Sequence, residues 1–187
     1  EYLIPKGKKY LEKKYFSAPA FRFKKVWNNY KATNIQKDLI ILAGLPISKK
    51  QSHVICNLLL KLAIDINDHA FKILIKPHPN HINKKDLKEF EKYLNNNKLS
   101  VVKGDLYDYL DSSTLFISNA SSTSVEAICR GLNVIILGDN NGITQNPMPC
   151  GISNKYYSIC YDYESIYSEV ISVIRKCNTS LIKAREE

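Results

Sequence analysis

FKILIKPHPNH, residues 71–81, decides the fold of this chain. Its apolar part is short and rich in β-branched residues, which favours a strand over a buried helix. Pro77 and Pro79 stop any helical continuation and hold the residues before them extended, so His78 sits in a backbone whose direction is almost set in advance. A nearly continuous apolar run also suits a strand covered on both faces, the situation of a parallel sheet flanked by helices.

Reading outward, the same grammar recurs from residue 38 onward. Strands are expected at DLIILAG (38–44), FKILIKP (71–77), LSVVKG (99–104), TLFISNA (114–120), NVIILG (133–138) and YYSICYD (156–162). Helices are expected at KKQSHVICNLLLKLAIDI (49–66), NKKDLKEFEKYLNN (83–96), DLYDYLDS (105–112), STSVEAICRG (122–131) and YESIYSEVISVIRKC (163–177). Short apolar runs alternating with amphipathic ones predict an α/β domain with a doubly wound parallel sheet and helices on both faces. The organisation expected is a basic linker or appended helix over 1–37 and a nucleotide-binding α/β domain over 38–187.

The chain has 187 residues, 44% hydrophobic and 24% charged, enough for one domain with its own core. No eighteen-residue uncharged apolar window occurs, and no signal-peptide pattern is present, so a soluble cytoplasmic protein is expected. Five widely spaced cysteines, without a CxxC pair or zinc-ligand spacing, read as buried thiols in a reducing compartment. The chain opens on Glu1 rather than Met, so it is read as a piece of something longer. Its net charge of +9 is concentrated in KGKKYLEKKYFSAPAFRFKK, residues 6–25. A basic, aromatic-bearing stretch of this kind suits the anionic inner face of a membrane, and a solvated connector is the plainer alternative. No RNA-binding signature follows it, so nucleic acid is not an expected partner.

In a parallel sheet the ligand site lies beyond the carboxyl ends of the strands. Three of those loops are unusual. In AGLPISKKQS (43–52), Gly44 permits close backbone approach and Pro46 stiffens the turn, although a plain turn glycine explains the pattern too. In the second loop, His78 between Pro77 and Pro79 offers a pre-aimed imidazole suited to a phosphate oxygen; a histidine packed under a loop is the alternative. In SNASSTSVEAICRG (118–131), Ser121, Ser122, Thr123 and Ser124 gather at a helix start, where backbone amides and hydroxyls attract anions. Thr123 and Glu126 also fit a capping box, and Gly131 fits a helix stop. No DxD pair stands at a strand end, and Asp105 and Asp108 in GDLYD read as a helix start. No metal is expected.

IKPHP followed by SNASSTSVEAICRGLNVIIL resembles the donor-nucleotide-binding half of GT-B glycosyltransferases that build bacterial surface polysaccharides, especially the capsule, sialyl, polysialyl, Kdo and CDP-glycerol transferases with HP and Ser/Thr motifs. The resemblance covers roughly 38–177 and implies a Rossmann-like half of a GT-B fold. It further implies a metal-independent inverting transferase with no cofactor beyond a CMP- or CDP-activated donor as substrate, and a glycan acceptor. His78, with Pro79 behind it, would contact the donor phosphate and act catalytically on the leaving group. Ser121, Ser122 and Thr123 would bind the same phosphate, Glu126 would read the ribose, and Gly44 and Pro46 would shape the loop beside the cleft. The relatives keep their acceptor base in an N-terminal domain that this chain lacks, so it should bind nucleotide and barely turn over.

A CDP-glycerol glycerophosphotransferase and one half of a sugar-nucleotide epimerase are alternatives on the same scaffold, though the loop after NVIILG lacks the Arg- and Glu-rich pattern of the epimerases. A different class is a non-enzymatic basic module for nucleotides or polyanions. That reading predicts binding that falls steeply with salt and survives loss of His78.

Overall fold

The computed structural model describes residues 39–66, 71–81, 88, 90–139, 145–149 and 151–186. The basic segment within 1–37, with its membrane-surface reading, lies outside the described residues, as do the start of the expected 83–96 helix and residues 140–144 and 150 of the long loop. Among the described residues no helix is long and apolar enough to cross a membrane.

Six strands form one sheet: β1 (Leu39–Gly44), β2 (Phe71–Lys76), β3 (Leu99–Val101), β4 (Leu115–Ser118), β5 (Asn133–Leu137) and β6 (Tyr157–Cys160). Every pairing is parallel and the spatial order is β3-β2-β1-β4-β5-β6. The order runs outward from β1 to β3 on one side and from β4 to β6 on the other, so the topological switch point lies between β1 and β4. Among the described residues the strands are accompanied by the α-helices α1 (Lys49–Asp65), α2 (Tyr107–Leu110), α3 (Thr123–Cys129) and α4 (Tyr163–Glu186).

Strand alternation divides the core in two. Ile41, Ala43, Ile73, Ile75, Leu115 and Ile117 point to the face covered by α1 and α4. There Ile55, Cys56, Leu59, Leu62 and Ala63 recur at helical spacing on α1, and Ile166, Val170, Val173 and Ile174 do so on α4. Each of the Ile, Leu and Val side chains among them contributes roughly 1.5–3 kcal/mol by leaving water. Leu42, Phe116, Val134 and Ile136 point the other way, onto Leu110, Ala127, Leu132 and Met148. Met148 brings the described part of the long loop down onto that second face.

Local chemistry sets the helix ends. The Ser48 side chain accepts from the Gln51 amide at the start of α1. At its other end the Lys98 ammonium donates to the carbonyls of Ala63 and Ile66, which no further turn of helix would satisfy. The helix stop at Gly131 forms as expected: φ is +83°, the Gly131 amide donates to Ile128 and the Leu132 amide to Ala127.

Three expectations need correction. The described end of the 83–96 segment tightens into a 3₁₀ turn, Lys92–Asn95, instead of finishing as α-helix. The last helix does not end at Cys177, where its apolar pattern fades, but runs to Glu186, because neither proline nor glycine interrupts it. The capping box at Thr123 and Glu126 does not form, for reasons that belong to the site.

Candidate functional site

The carboxyl ends of β1, β2 and β4 border a cavity of about 930 Å³. All eight residues expected from the sequence line it: Gly44, Pro46, His78, Pro79, Ser121, Ser122, Thr123 and Glu126. Lys76, Tyr107, Gln51, Asn119 and Asp105, which sequence reasoning did not place in a site, line it as well.

The β1 loop is held from both sides. The Leu45 amide donates to the Lys76 carbonyl at 3.0 Å, and the buried Ser52 hydroxyl donates to the Pro46 carbonyl at 3.0 Å. Gly44 has a packing reason of its own, because a Cβ there would stand 3.0 Å from Cζ of Phe116. Its bareness therefore admits the Phe116 ring, a side chain from β4, at the floor of the cleft.

On the β2 loop Pro77 is buried and His78 half-buried. The Asn80 amide donates to Nδ1 of His78 at 3.2 Å. That contact makes Nδ1 the acceptor and places the proton of the neutral ring on Nε2, a donor. The stiffness expected from the prolines is thus supplemented by a local hydrogen bond that selects a tautomer. Lys76, the last strand residue, keeps 7% exposure, and its ammonium donates to the Pro77 carbonyl at 3.3 Å. Burial pushes its pKa below the ordinary lysine value, with the negative charge of Asp105 opposing.

The β4 loop uses its hydroxyls differently from one another. Ser118 and Ser124 are fully buried, with their Oγ atoms 2.8 Å apart, and Ser118 donates to the Asn119 carbonyl at 2.9 Å. Ser124 is therefore structural and does not line the cavity, contrary to its place in the expected hydroxyl cluster. Ser121 Oγ accepts from the Thr123 amide at 3.3 Å and donates to Thr123 Oγ1 at 3.1 Å. The amides of Ser124 and Val125 donate to the carbonyls of Ser121 and Ser122. These internal bonds engage the first amides of α3, so the loop's capacity for an anion rests on side chains, chiefly the exposed Ser122 and the hydroxyl proton of Thr123.

Glu126 is only 5% exposed and accepts from the Tyr107 hydroxyl at 2.7 Å. This explains the missing capping box: Ser121 Oγ takes the Thr123 amide that the motif assigns to the Glu126 carboxylate, and Glu126 turns to Tyr107. The Arg130 guanidinium lies 5.4 Å from the centre of the Tyr107 ring and pairs with Asp111, which fixes Tyr107 from behind. Asp105 accepts from the Tyr107 amide at 3.2 Å, the helix-start role expected for it. Among its described residues, the loop between β5 and β6 does not border the cavity.

No family model matches the sequence, and no curated protein matches it. Solved structures do match in shape. The S. aureus protein MnaA, solved with UDP, aligns at 16% identity and TM-score 0.56 over 79% of this chain and 41% of its own. The UDP-GlcNAc 2-epimerase of Neisseria meningitidis, solved with UDP-GlcNAc, aligns at 16% identity and TM-score 0.52 over 89% and 41%. TarM aligns at 15% identity and TM-score 0.52 over 79% and 31%. The chain spans about two fifths or less of the length of these proteins. At such identities the likeness is one of fold: the chain is built as one Rossmann-like half of the two-domain GT-B architecture.

Proposed function

We propose that this chain is the donor-binding half of a metal-independent inverting glycosyltransferase of bacterial surface polysaccharide synthesis, and that its cleft holds the phosphate of a CMP- or CDP-activated donor. The observation that carries the reading is the convergence of four loops, those after β1, β2, β3 and β4, on one cavity at the carboxyl edge of the sheet. Two of them bring what a departing nucleotide requires. The β2 loop presents an imidazole with its proton on Nε2, which can donate to a phosphate oxygen as negative charge grows there. The β4 loop presents the hydroxyls of Ser122 and Thr123. Glu126, an acceptor oriented by Tyr107, lines the same cavity and is the group assigned to the ribose hydroxyls. Donors fixed before the ligand arrives need no reorganisation when charge develops, which is where such sites gain their rate. The acceptor and the base that activates it belong to the opposite half of the scaffold.

A second reading, half of a sugar-nucleotide epimerase, is favoured by the fold likeness to MnaA solved with UDP and to the Neisseria enzyme solved with UDP-GlcNAc. A glycerol-phosphate transferase would use the same phosphate contacts. Calorimetric titration with CMP, CDP, UMP, UDP, GDP and ADP, at two salt concentrations, separates the cytidine-dependent transferases from the epimerase half by base. Cytidine selectivity supports the transferase, and uridine selectivity supports the epimerase half. In either case His78→Ala should weaken binding by roughly 1.5–3 kcal/mol, the loss of one hydrogen bond to a charged group. Binding that is indifferent to His78 and collapses with salt would replace both readings with a polyanion-binding module.

A further inference from the structure

Lys76 combines burial and position with a shortage of direct partners among the described residues. It is the last residue of β2 and one of the least exposed charged residues described, at 7%. A lysine this buried is ordinarily paired with a carboxylate. Here the ammonium has three donor protons, one of which reaches a neutral acceptor, the Pro77 carbonyl at 3.3 Å. No ion pair to it forms among the described residues. Of the two carboxylates that share its cavity, Glu126 accepts from the Tyr107 hydroxyl and Asp105 from the Tyr107 amide; Asp105 acts on the ammonium through its charge and forms no ion pair with it. A contact to the next residue's carbonyl is open to almost any lysine at a strand end, and it does not neutralise the charge.

The geometry points to Lys76 as the specificity-determining cation of the cleft: its buried ammonium makes the site select ligands by the charge of their phosphates, a nucleoside diphosphate above the monophosphate and both above the nucleoside. The inference rests on the nucleotide reading above and names the group that such a ligand must carry. Lys76 and His78 stand on one wall of the cavity, and Ser122 and Thr123 on the other side of β1. A diphosphate has oxygens enough for both. Burial lowers the pKa of the ammonium, and the charge of a bound phosphate would act against that shift, as Asp105 already does.

The test is calorimetric titration of the chain and of Lys76→Met, Lys76→Gln and Lys76→Arg with CDP, UDP, their monophosphates, cytidine, uridine and inorganic pyrophosphate. The original chain should prefer a nucleoside diphosphate to its nucleoside by at least about tenfold, and Lys76→Met should lose about tenfold or more for the diphosphate while its nucleoside affinity holds. Lys76→Arg, which keeps the charge, should retain most of the preference. Thermal melting checks folding, and Lys76→Met should melt no lower than the original chain, because it removes a buried charge that has no ion-pair partner among the described residues. Lys76→Gln gives the same readout with a polar side chain of similar reach.

The outcomes separate the two proposals. Nucleoside diphosphates that bind the original chain and Lys76→Met alike would overturn the role of Lys76 and leave the nucleotide reading standing. Pyrophosphate binding that depends on Lys76, without any nucleotide binding, would support the cation and sink the nucleotide. Absence of binding by every anion overturns both.

Discussion

The loops after β2 and β4 border the same cavity from either side of β1, yet they are made rigid by opposite means. The β2 loop is stiffened by its covalent structure: two prolines restrict the backbone, and one amide, that of Asn80, holds the imidazole. The β4 loop is stiffened by a web of hydroxyls in which Ser118, Ser121 and Ser124 bond to one another's surroundings. Proline leaves neighbouring polar side chains for a ligand. Serine used as scaffold consumes them. A hydroxyl-rich loop therefore overstates its own binding capacity, and a proline-rich one understates it, which is why Lys76 is the unexpected member of the site.

The contrast can be broken first at its strongest point, the buried pair beneath the β4 loop. Ser118→Ala removes the partner of Ser124, and an orphaned buried hydroxyl costs about 1–3 kcal/mol. The double variant Ser118→Ala with Ser124→Ala should cost less than Ser118→Ala alone, since no hydroxyl is then stranded. Denaturant unfolding of the three variants checks this. A double variant worse than both singles would mean that the loop is held by packing and not by the pair.

Ser121→Ala comes next. Its oxygen takes the amide at the start of α3, so its loss should lower stability by about 0.5–2 kcal/mol, the usual range for a helix cap. It should also weaken nucleotide binding, because Thr123 Oγ1 loses the bond that orients it. A stability loss without an affinity loss would confine Ser121 to scaffolding and sharpen the division between the two loops further.

Much of this arrangement was legible in the sequence. The strands were readable because their apolar runs are short and punctuated, and all eight expected residues meet in the cavity because a parallel sheet delivers every strand-end loop to the same edge. What failed to show was pairing at a distance. Lys76 reads as an ordinary polar strand end, and nothing local in the sequence announces that the folded chain buries it to 7% exposure. Thr123 and Glu126 satisfy a local motif, and nothing in the local sequence announces that Tyr107, nineteen residues from Glu126, takes its carboxylate. Ser124 is indistinguishable in sequence from its neighbours, and the helix turn alone decides that it faces Ser118. Local rules located the loops, and tertiary neighbours assigned the atoms within them.

The smallest effect is the one that tests the covalent half of the comparison. Pro79→Ala removes no hydrogen-bond donor, since proline has none, and leaves the Asn80 bond to His78 available. If the proline acts by restricting the unfolded chain, stability should fall by about 0.4–1 kcal/mol, with the midpoint moving and the denaturant slope unchanged. Nucleotide affinity should then drop only slightly, because His78 is still held from Nδ1, and the drop should be entropic in the calorimeter, a loop that must now be ordered on binding. An affinity loss as large as that of His78→Ala would show instead that the Asn80 bond cannot hold the ring alone and that the two loops differ less than their chemistry suggests.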